Sequence, residues 1–386
     1  MSSSRVEQIQ AAYAAEEGKR QSKVFKASDL PLSYDAITAE WLTDALCLAH
    51  SGAQVTSFAL GPVDTGSSNR RKIAVDYNDA GKAAGLPEKL FCKATHDLAN
   101  RIVLGISGGA MGEVLFFNHV RPLLDIEAPG SCFAGYDASN INSLVVLHDI
   151  SADVTSFCDH NTEMTRARAE SQMALLASAH GQGYAKAEIR AQLERIVTWP
   201  QFFTKTLDFG MEAGSNKGFL DGVDVIPAST YKRFDEVWQK TLQSVERHNS
   251  LPLTLMHGDV HLKNWYIAGN GEMGLSDWQC VSRGHWSRDV CYAISSALTV
   301  ENRRAWEKDL LHYYLDRLHA AGGPKVPFDE AWLNYRQQLM TALTWWTITL
   351  APTEDIPDMQ PRDITLEMVR RIGTAVDDCG SLDSFV

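Results

Sequence analysis

The chain has 386 residues, too many for one small core, so two packed units are expected. Its hydrophobic content of 45% and charged content of 22% are those of an ordinary globular protein. A formal charge of −12 argues against a nucleic-acid partner, because phosphate backbones require a basic surface.

Residues 1–30 are polar, with a basic cluster at Lys19, Arg20, Lys23 and Lys26, and read as a loosely held arm with helical character. The start, MSSSRVEQIQ, lacks the apolar core of a signal peptide. From Tyr34 to His50 the residues Trp41, Leu42, Ala45, Leu46 and Ala49 share a helical face, and Thr38 is placed to cap it. Val55–Leu60 and Lys72–Tyr77 read as strands. Between them Gly66, Ser67 and Ser68 suit a hairpin tip that presents backbone N–H groups to an anion, although such tips are more often plain turns.

Leu90–Thr95 is an apolar strand that carries Lys93. A lysine there either faces solvent or meets a carboxylate. Glu113, in the first turn of a helix predicted over Gly112–Leu124, is the candidate partner, or simply a favourable charge at a helix start. The Gly-rich run Asn100–Met111 reads as a mobile loop near the substrate. Two further strands are expected at Cys132–Tyr136 and Ser143–Ile150.

Beyond residue 150 the patterns turn helical. Asn161–His180 is a strong helix, with Gly181 and Gly183 as its stop and His180 as a dipole-stabilising end residue. Most of Pro227–Asn249 is another helix, and Asp289–Leu298, Glu301–Ala321, Asp329–Leu350 and Thr365–Asp378 follow. Trp306, Tyr313, Tyr314, Trp332, Tyr335, Trp345 and Trp346 fall on the last helices, where aromatic residues are more often core than ligand wall. No apolar run of about 18 residues predicts a membrane span. The seven cysteines form no CxxC pair and read as reduced thiols of a cytoplasmic protein.

The chemistry concentrates in 253–291. His257-Gly258-Asp259 is followed by Asn264, five residues after the Asp, and by Ser276-Asp277-Trp278 beyond a short hairpin. One Asp can orient or deprotonate a hydroxyl, while an Asn and a second Asp supply hard oxygen ligands to Mg²⁺ on a nucleoside triphosphate. The order of parts, from Gly/Ser hairpin through strand Lys and helix Glu to HGDVHLKN and a hairpin ending in Asp, matches that of kinase-like phosphotransferases.

The sequence resembles the aminoglycoside phosphotransferase superfamily, most of all its ecdysteroid-kinase-like and choline-kinase-like branches. HGDVHLKNW and GLSDWQ carry the resemblance, supported by SLVVLHDIS, LLASAHGQGY and GHWSRDVCYAI. It implies an α+β, two-lobed protein-kinase-like fold. Residues 1–150 would form an antiparallel sheet lobe that binds nucleotide, and 151–386 a mostly helical lobe with the catalytic loop and substrate site. It further implies ATP- or GTP-dependent, Mg²⁺-assisted phosphorylation of a hydroxyl on a small molecule. Carried over, Asp259 would be catalytic, and Asn264 and Asp277 would hold Mg²⁺. Lys93, held by Glu113, would contact the α- and β-phosphates under Gly66, Ser67 and Ser68. Val146, Leu147, His148 and Asp149 would line the adenine slot through their backbone. His257 would brace the loop, His261 would approach the γ-phosphate or buttress Asp259, and Asp289 would tie the loop after Asp277 to the helical unit.

The glycine turn is not a full GxGxxG, and Lys263 stands where Pro or Gly is usual. Asp289 follows Asp277 by only twelve positions, which leaves no room for a long activation loop and favours a metabolite kinase. A metallophosphoesterase would need further clusters, an early Asp-x-His and a Gly-Asn-His-Glu, which are absent. A catalytically silent, nucleotide-binding kinase-like protein remains an alternative, as does an aminoglycoside O-phosphotransferase. The aromatic C-terminal helices favour an apolar or aromatic alcohol or a hydroxyacyl compound over a polycation, despite acids at 354, 355, 358, 363 and 367.

Overall fold

The computed structural model describes residues 5–352 and 359–385. The chain divides into two compact units, one of 1–122 with 129–152 and the other of 123–128 with 153–386. The short segment 123–128 therefore packs with the second unit instead of with its neighbours in sequence. There the Leu275 N–H donates to the Glu127 carbonyl at 3.0 Å and the Tyr266 hydroxyl to the Glu127 side chain at 2.8 Å. Glu354, Asp355 and Asp358 lie outside the described residues.

In the first unit the N-terminal segment contains a docked helix, α1 (Arg5–Ala14), where a loose arm was expected. Ile9 is buried, and the fully buried Arg101 donates to Glu16 at 2.7 Å. Helix α2 (Ala39–Leu46) starts at Thr38, whose hydroxyl accepts the Trp41 N–H, and buries Trp41, Leu42 and Leu46. The sheet consists of β1 (Val55–Thr65), β2 (Asn69–Tyr77), β3 (Lys89–Ala94), β4 (Ser131–Asp137) and β5 (Asn142–His148), with helix α3 (Asp79–Ala83) between β2 and β3. All pairings are antiparallel, in the order β1-β2-β3-β5-β4. The strand alternation shows clearly in β2: Ile73, Val75 and Tyr77 face the core while Ala74 and Asp76 face solvent.

The run 100–111 is not a mobile loop. It forms α4 (Leu98–Ser107) and the start of α5 (Gly109–Leu115), which turn at Gly108 with φ +83°. Its apolar residues Ile102, Leu104 and Ile106 are buried, and Gly105 permits close packing, since a Cβ there would sit 2.6 Å from Ile141. Glu113 consequently falls in the second turn of its helix, not the first. Among the described residues no single helix is long and apolar enough to cross a membrane; Leu98–Ser107 and Gly109–Leu123 reach that composition only as a pair bent by 72°.

The second unit begins with β6 (Val154–Phe157) and continues through α6 (Arg166–Ala185), α7 (Ala187–Leu193), α8 (Trp199–Thr206), α9 (Met211–Asp221), α10 (Ala228–Tyr231) and α11 (Phe234–Glu246). Strands β7 (Thr254–Met256), β8 (Trp265–Ala268), β9 (Met273–Leu275) and β10 (Ser282–Gly284) follow, then helices α12 (Ser287–Ala297), α13 (Val300–Ala320), α14 (Phe328–Leu350) and α15 (Arg362–Asp378). β6, β8 and β9 form a three-stranded sheet, and β7 pairs with β10. Gly181 and Gly183 do not stop α6, which runs through both. A Cβ on Gly181 would stand 2.4 Å from the Ala321 Cβ, and one on Gly183 2.3 Å from the Thr254 hydroxyl. These glycines serve close approach, not termination. Tyr314, Tyr335 and Trp346 are buried, as aromatic residues at helical spacing usually are. Glu367 is engaged by Arg370 and Arg371 at 2.7 and 2.6 Å.

Helices α9 and α14 touch through Gly218, where a Cβ would lie 1.8 Å from the Thr347 carbonyl oxygen. Gly→Ala inside a helix ordinarily gains about 1 kcal/mol. Here the clash with backbone reverses the sign, and overpacking costs about 1–3 kcal/mol or more. Gly218→Ala is expected to lower the melting temperature; a melting temperature equal to or above wild type would show that the two helices can separate freely.

Two buried histidines set an acid limit on stability. Burial pushes His248 down to about 4 and His96 to about 3. Both are neutral in the folded protein, whereas the unfolded chain protonates them below about 6.5. Stability is thus complete above that value and falls as pH drops from about 6.5 toward 4. Urea midpoints measured across this window should decline, and less steeply in His248→Gln; equal slopes would remove His248 from the account.

Candidate active site

The second unit presents its oxygen-bearing side chains from two adjoining turns. The first lies between β7 and β8. Gly258 has φ +84°, and a Cβ there would meet the Cys280 carbonyl at 2.6 Å, so only glycine lets the chain turn at this point. The backbone N–H groups of His257 and Gly258 donate to the two oxygens of Asp289 at 2.7 and 2.9 Å. His180 donates to the same carboxylate at 3.2 Å and accepts from the Tyr314 hydroxyl at 2.8 Å. Asp289 therefore anchors the His-Gly-Asp turn itself, where the sequence had suggested the loop after Asp277, and His180 is part of that anchor rather than a helix-end charge. Burial alone would raise the Asp289 carboxyl; His180, His257 and the Gly258 N–H outweigh it and hold it below the usual range.

His257 joins the two turns. Its Nε2 donates to the Ser276 carbonyl at 2.9 Å, and its Nδ1 accepts the Asp259 N–H at 3.2 Å, which fixes one neutral tautomer. Burial lowers its pKa in the same sense. The hairpin β8–β9 pairs Trp265 with Leu275, so Asn264 and Ser276 face each other at its open end. The Ser276 N–H and hydroxyl both donate to the Asn264 carbonyl, at 2.8 and 2.9 Å. Asp277 follows in the left-handed region, φ 60°, an unusual conformation for a residue with a side chain.

Asp259 is held from several sides. Asn264 Nδ2 donates to its carbonyl at 2.7 Å and stands 3.4 Å from Oδ2. His261 Nε2 is 3.5 Å from Oδ2, and the Tyr292 hydroxyl donates to Oδ1 at 3.1 Å. Burial would raise this carboxyl, but the His261 and His257 imidazoles and the Tyr292 hydroxyl overcome it, so Asp259 is ionised at neutral pH. Tyr292 escaped the sequence reasoning. Its signal lay in DVCY, where Asp289 and Tyr292, three apart at the start of α12, point to the same loop.

In the first unit Lys93 and Glu113 form a buried ion pair at 2.6 Å, with side-chain exposures of 6% and 5%. Lys93 lies next to the C-terminal end of β3, opposite Arg70 of β2 and Val145 of β5. Gly66, Ser67 and Ser68 form the β1–β2 turn, closed by Gly66 N–H donating to the Ser68 carbonyl at 3.1 Å. Ser68 is buried. Asn100 Nδ2 at the start of α4 donates to the Gly66 carbonyl at 2.7 Å and tethers the turn from outside.

Val146, Leu147 and His148, expected to line an adenine slot through backbone groups, close β5 (Asn142–His148). β5 lies between β3 and β4, so Val146 and Leu147 are inside ladders on both sides and buried. The N–H groups of His148 and Asp149 donate to the Gly130 and Lys89 carbonyls.

Among the described residues no group of three or more His, Cys, Asp or Glu side chains forms a metal cluster. One amide oxygen and one carboxylate, from Asn264 and Asp277, are hard oxygen donors of the kind that would suit Mg²⁺.

A sheet unit with a buried Lys–Glu pair and a helical unit with an Asp, Asn and Asp on adjoining turns define a protein of the kinase-like fold. Residues 141–326 match the phosphotransferase enzyme family. A kinase-like protein of Caenorhabditis elegans, itself uncharacterized, is 28% identical over 157 residues, 38% of this chain. The chain spans 40% of the length of that relative. Among solved structures, a candidate aminoglycoside phosphotransferase of Ralstonia eutropha superposes with a TM-score of 0.51 at 12% identity, covering 87% of this chain and 98% of that one. An ethanolamine kinase of Plasmodium vivax gives a TM-score of 0.48 at 9% identity, covering 98% and 95%.

Proposed function

We propose that the protein is a small-molecule kinase that transfers the γ-phosphoryl group of ATP to an alcohol hydroxyl. The observation that carries this reading is the Asp259 carboxylate, ionised and oriented by Tyr292, His261 and Asn264. Phosphoryl transfer has a loose transition state with little covalent chemistry for the protein to do, so positioning and charge are the main contributions. Asp259 orients the acceptor hydroxyl and takes its proton. Asn264 and Asp277 would hold Mg²⁺, which would supply positive charge against the phosphates. Lys93, fixed by Glu113, contacts the α- and β-phosphates, and Gly66, Ser67 and Ser68 cover them. His261 buttresses Asp259.

The acceptor is an apolar or aromatic alcohol or a hydroxyacyl compound rather than a polycation, a preference supported by the partly exposed Trp345 packed on Trp199 and Phe202. Calorimetric titration with ATP and GTP, with and without Mg²⁺, tests the nucleotide half. Mg²⁺-dependent binding with ATP preferred is expected; absence of binding by either nucleotide would overturn the reading.

A further inference from the structure

Arg288, in the first turn of α12, is fully buried, and its Nε, Nη1 and Nη2 have no hydrogen-bond partner among the described residues. A desolvated guanidinium ordinarily pairs with a carboxylate, since leaving it unpaired costs several kcal/mol, roughly. The adjacent carboxylate, Asp289, is already committed to His257, Gly258 and His180. The start of α12 adds further positive potential. What faces the guanidinium is aromatic: its carbon stands 5.2 Å from the Trp199 ring and 4.5 Å from the Tyr292 ring. Such contacts offset only part of that cost and leave the N–H donors unmet.

The location gives this cation a meaning. Tyr292, beneath the guanidinium, is the residue whose hydroxyl donates to Asp259. The distance from Arg288 to the catalytic carboxylate is therefore about one tyrosine side chain. Trp345, packed on Trp199 at 5.5 Å, is partly exposed and would be the ring that turns aside to admit a ligand.

We propose that Arg288 anchors an organic anion, a carboxylate on the phosphate acceptor, and that the acceptor class is a short hydroxy acid with an apolar or aromatic body. This rests on the reading of Asp259 as the group that meets the acceptor hydroxyl. A guanidinium fork receives a planar carboxylate through two parallel N–H donations, and the rings of Trp199 and Trp345 cover the apolar body. The same buried cation rejects polycationic acceptors by repulsion and by unmatched desolvation.

The test is calorimetric titration of the full-length protein with benzoate and with its neutral isostere benzamide, on wild type, Arg288→Met and Arg288→Lys. Wild type is expected to bind benzoate at least about tenfold tighter than benzamide, because a charge-assisted pair adds about 1.5–3 kcal/mol. Arg288→Met should lose that preference and Arg288→Lys keep only part of it. Equal or undetectable binding of the two probes by wild type overturns the proposal, and so does a preference that survives in Arg288→Met. The wild-type comparison decides the matter even where Arg288→Met does not fold. Mg·ATP binding, measured in parallel, separates the two readings: its absence alongside a benzoate preference sinks the kinase and leaves the anion site standing.

Discussion

Asp259→Ala is expected to lower kcat by about three orders of magnitude while nucleotide binding persists, within the range that positioned general bases contribute. The argument runs through the carboxylate's surroundings. Tyr292, His261 and Asn264 all approach it, so its oxygens are fixed in direction before any acceptor arrives. On the proposed mechanism its removal would delete the proton acceptor and release the orientation it would impose on the acceptor hydroxyl. The protein should still fold, because Asp259 is partly exposed and the turn is anchored elsewhere, by Asp289 on the His257 and Gly258 N–H groups. Asp259→Asn preserves the shape and should be nearly as inactive, which separates lost basicity and charge from lost packing. Steady-state rates beside melting curves check both variants. A variant melting like wild type with wild-type kcat would remove Asp259 from the chemistry.

The second large effect concerns Asp277. Its φ of 60° makes alanine a poor probe, since a left-handed alanine carries its own cost of about 1 kcal/mol or more. Asparagine tolerates that conformation, so Asp277→Asn removes the charge without straining the turn. We expect Mg²⁺-dependent nucleotide affinity to fall by about a hundredfold, because one of the two protein ligands in the proposed metal site would lose its full charge. Any residual metal-independent affinity should stay unchanged. Equal Mg²⁺ dependence in wild type and Asp277→Asn, measured by titration calorimetry, would move the metal site elsewhere.

The parts of this chain legible in the sequence are those written in short spacing. Thr38 announced α2 by its cap, the period-2 run Lys72–Tyr77 announced β2, and HGDVHLKN with GLSDW announced two turns that a short hairpin must bring together. What stayed hidden depends on partners distant in the chain. Gly181 and Gly183 look like a helix stop until Ala321 and Thr254 are seen against them. His180 looks like a helix-end charge until Asp289, 109 positions away, accepts from it. The 100–111 run looked loop-like because its glycines were read without the buried Ile102, Leu104 and Ile106. Tyr292 was signalled only as the last residue of DVCY, and the bond to Asp259 gives it its role. The place of β5 between β3 and β4 stayed hidden for a different reason: strand order is not written in the strand.

The most direct measurement is transfer of label from γ-labelled ATP to a pool of small metabolites, followed by identification of the labelled product, with wild type and Asp259→Asn side by side. The account predicts a phosphorylated alcohol, formed only with Mg²⁺ and lost in Asp259→Asn. Label that appears solely as inorganic phosphate, or a product formed equally by both proteins, would contradict it.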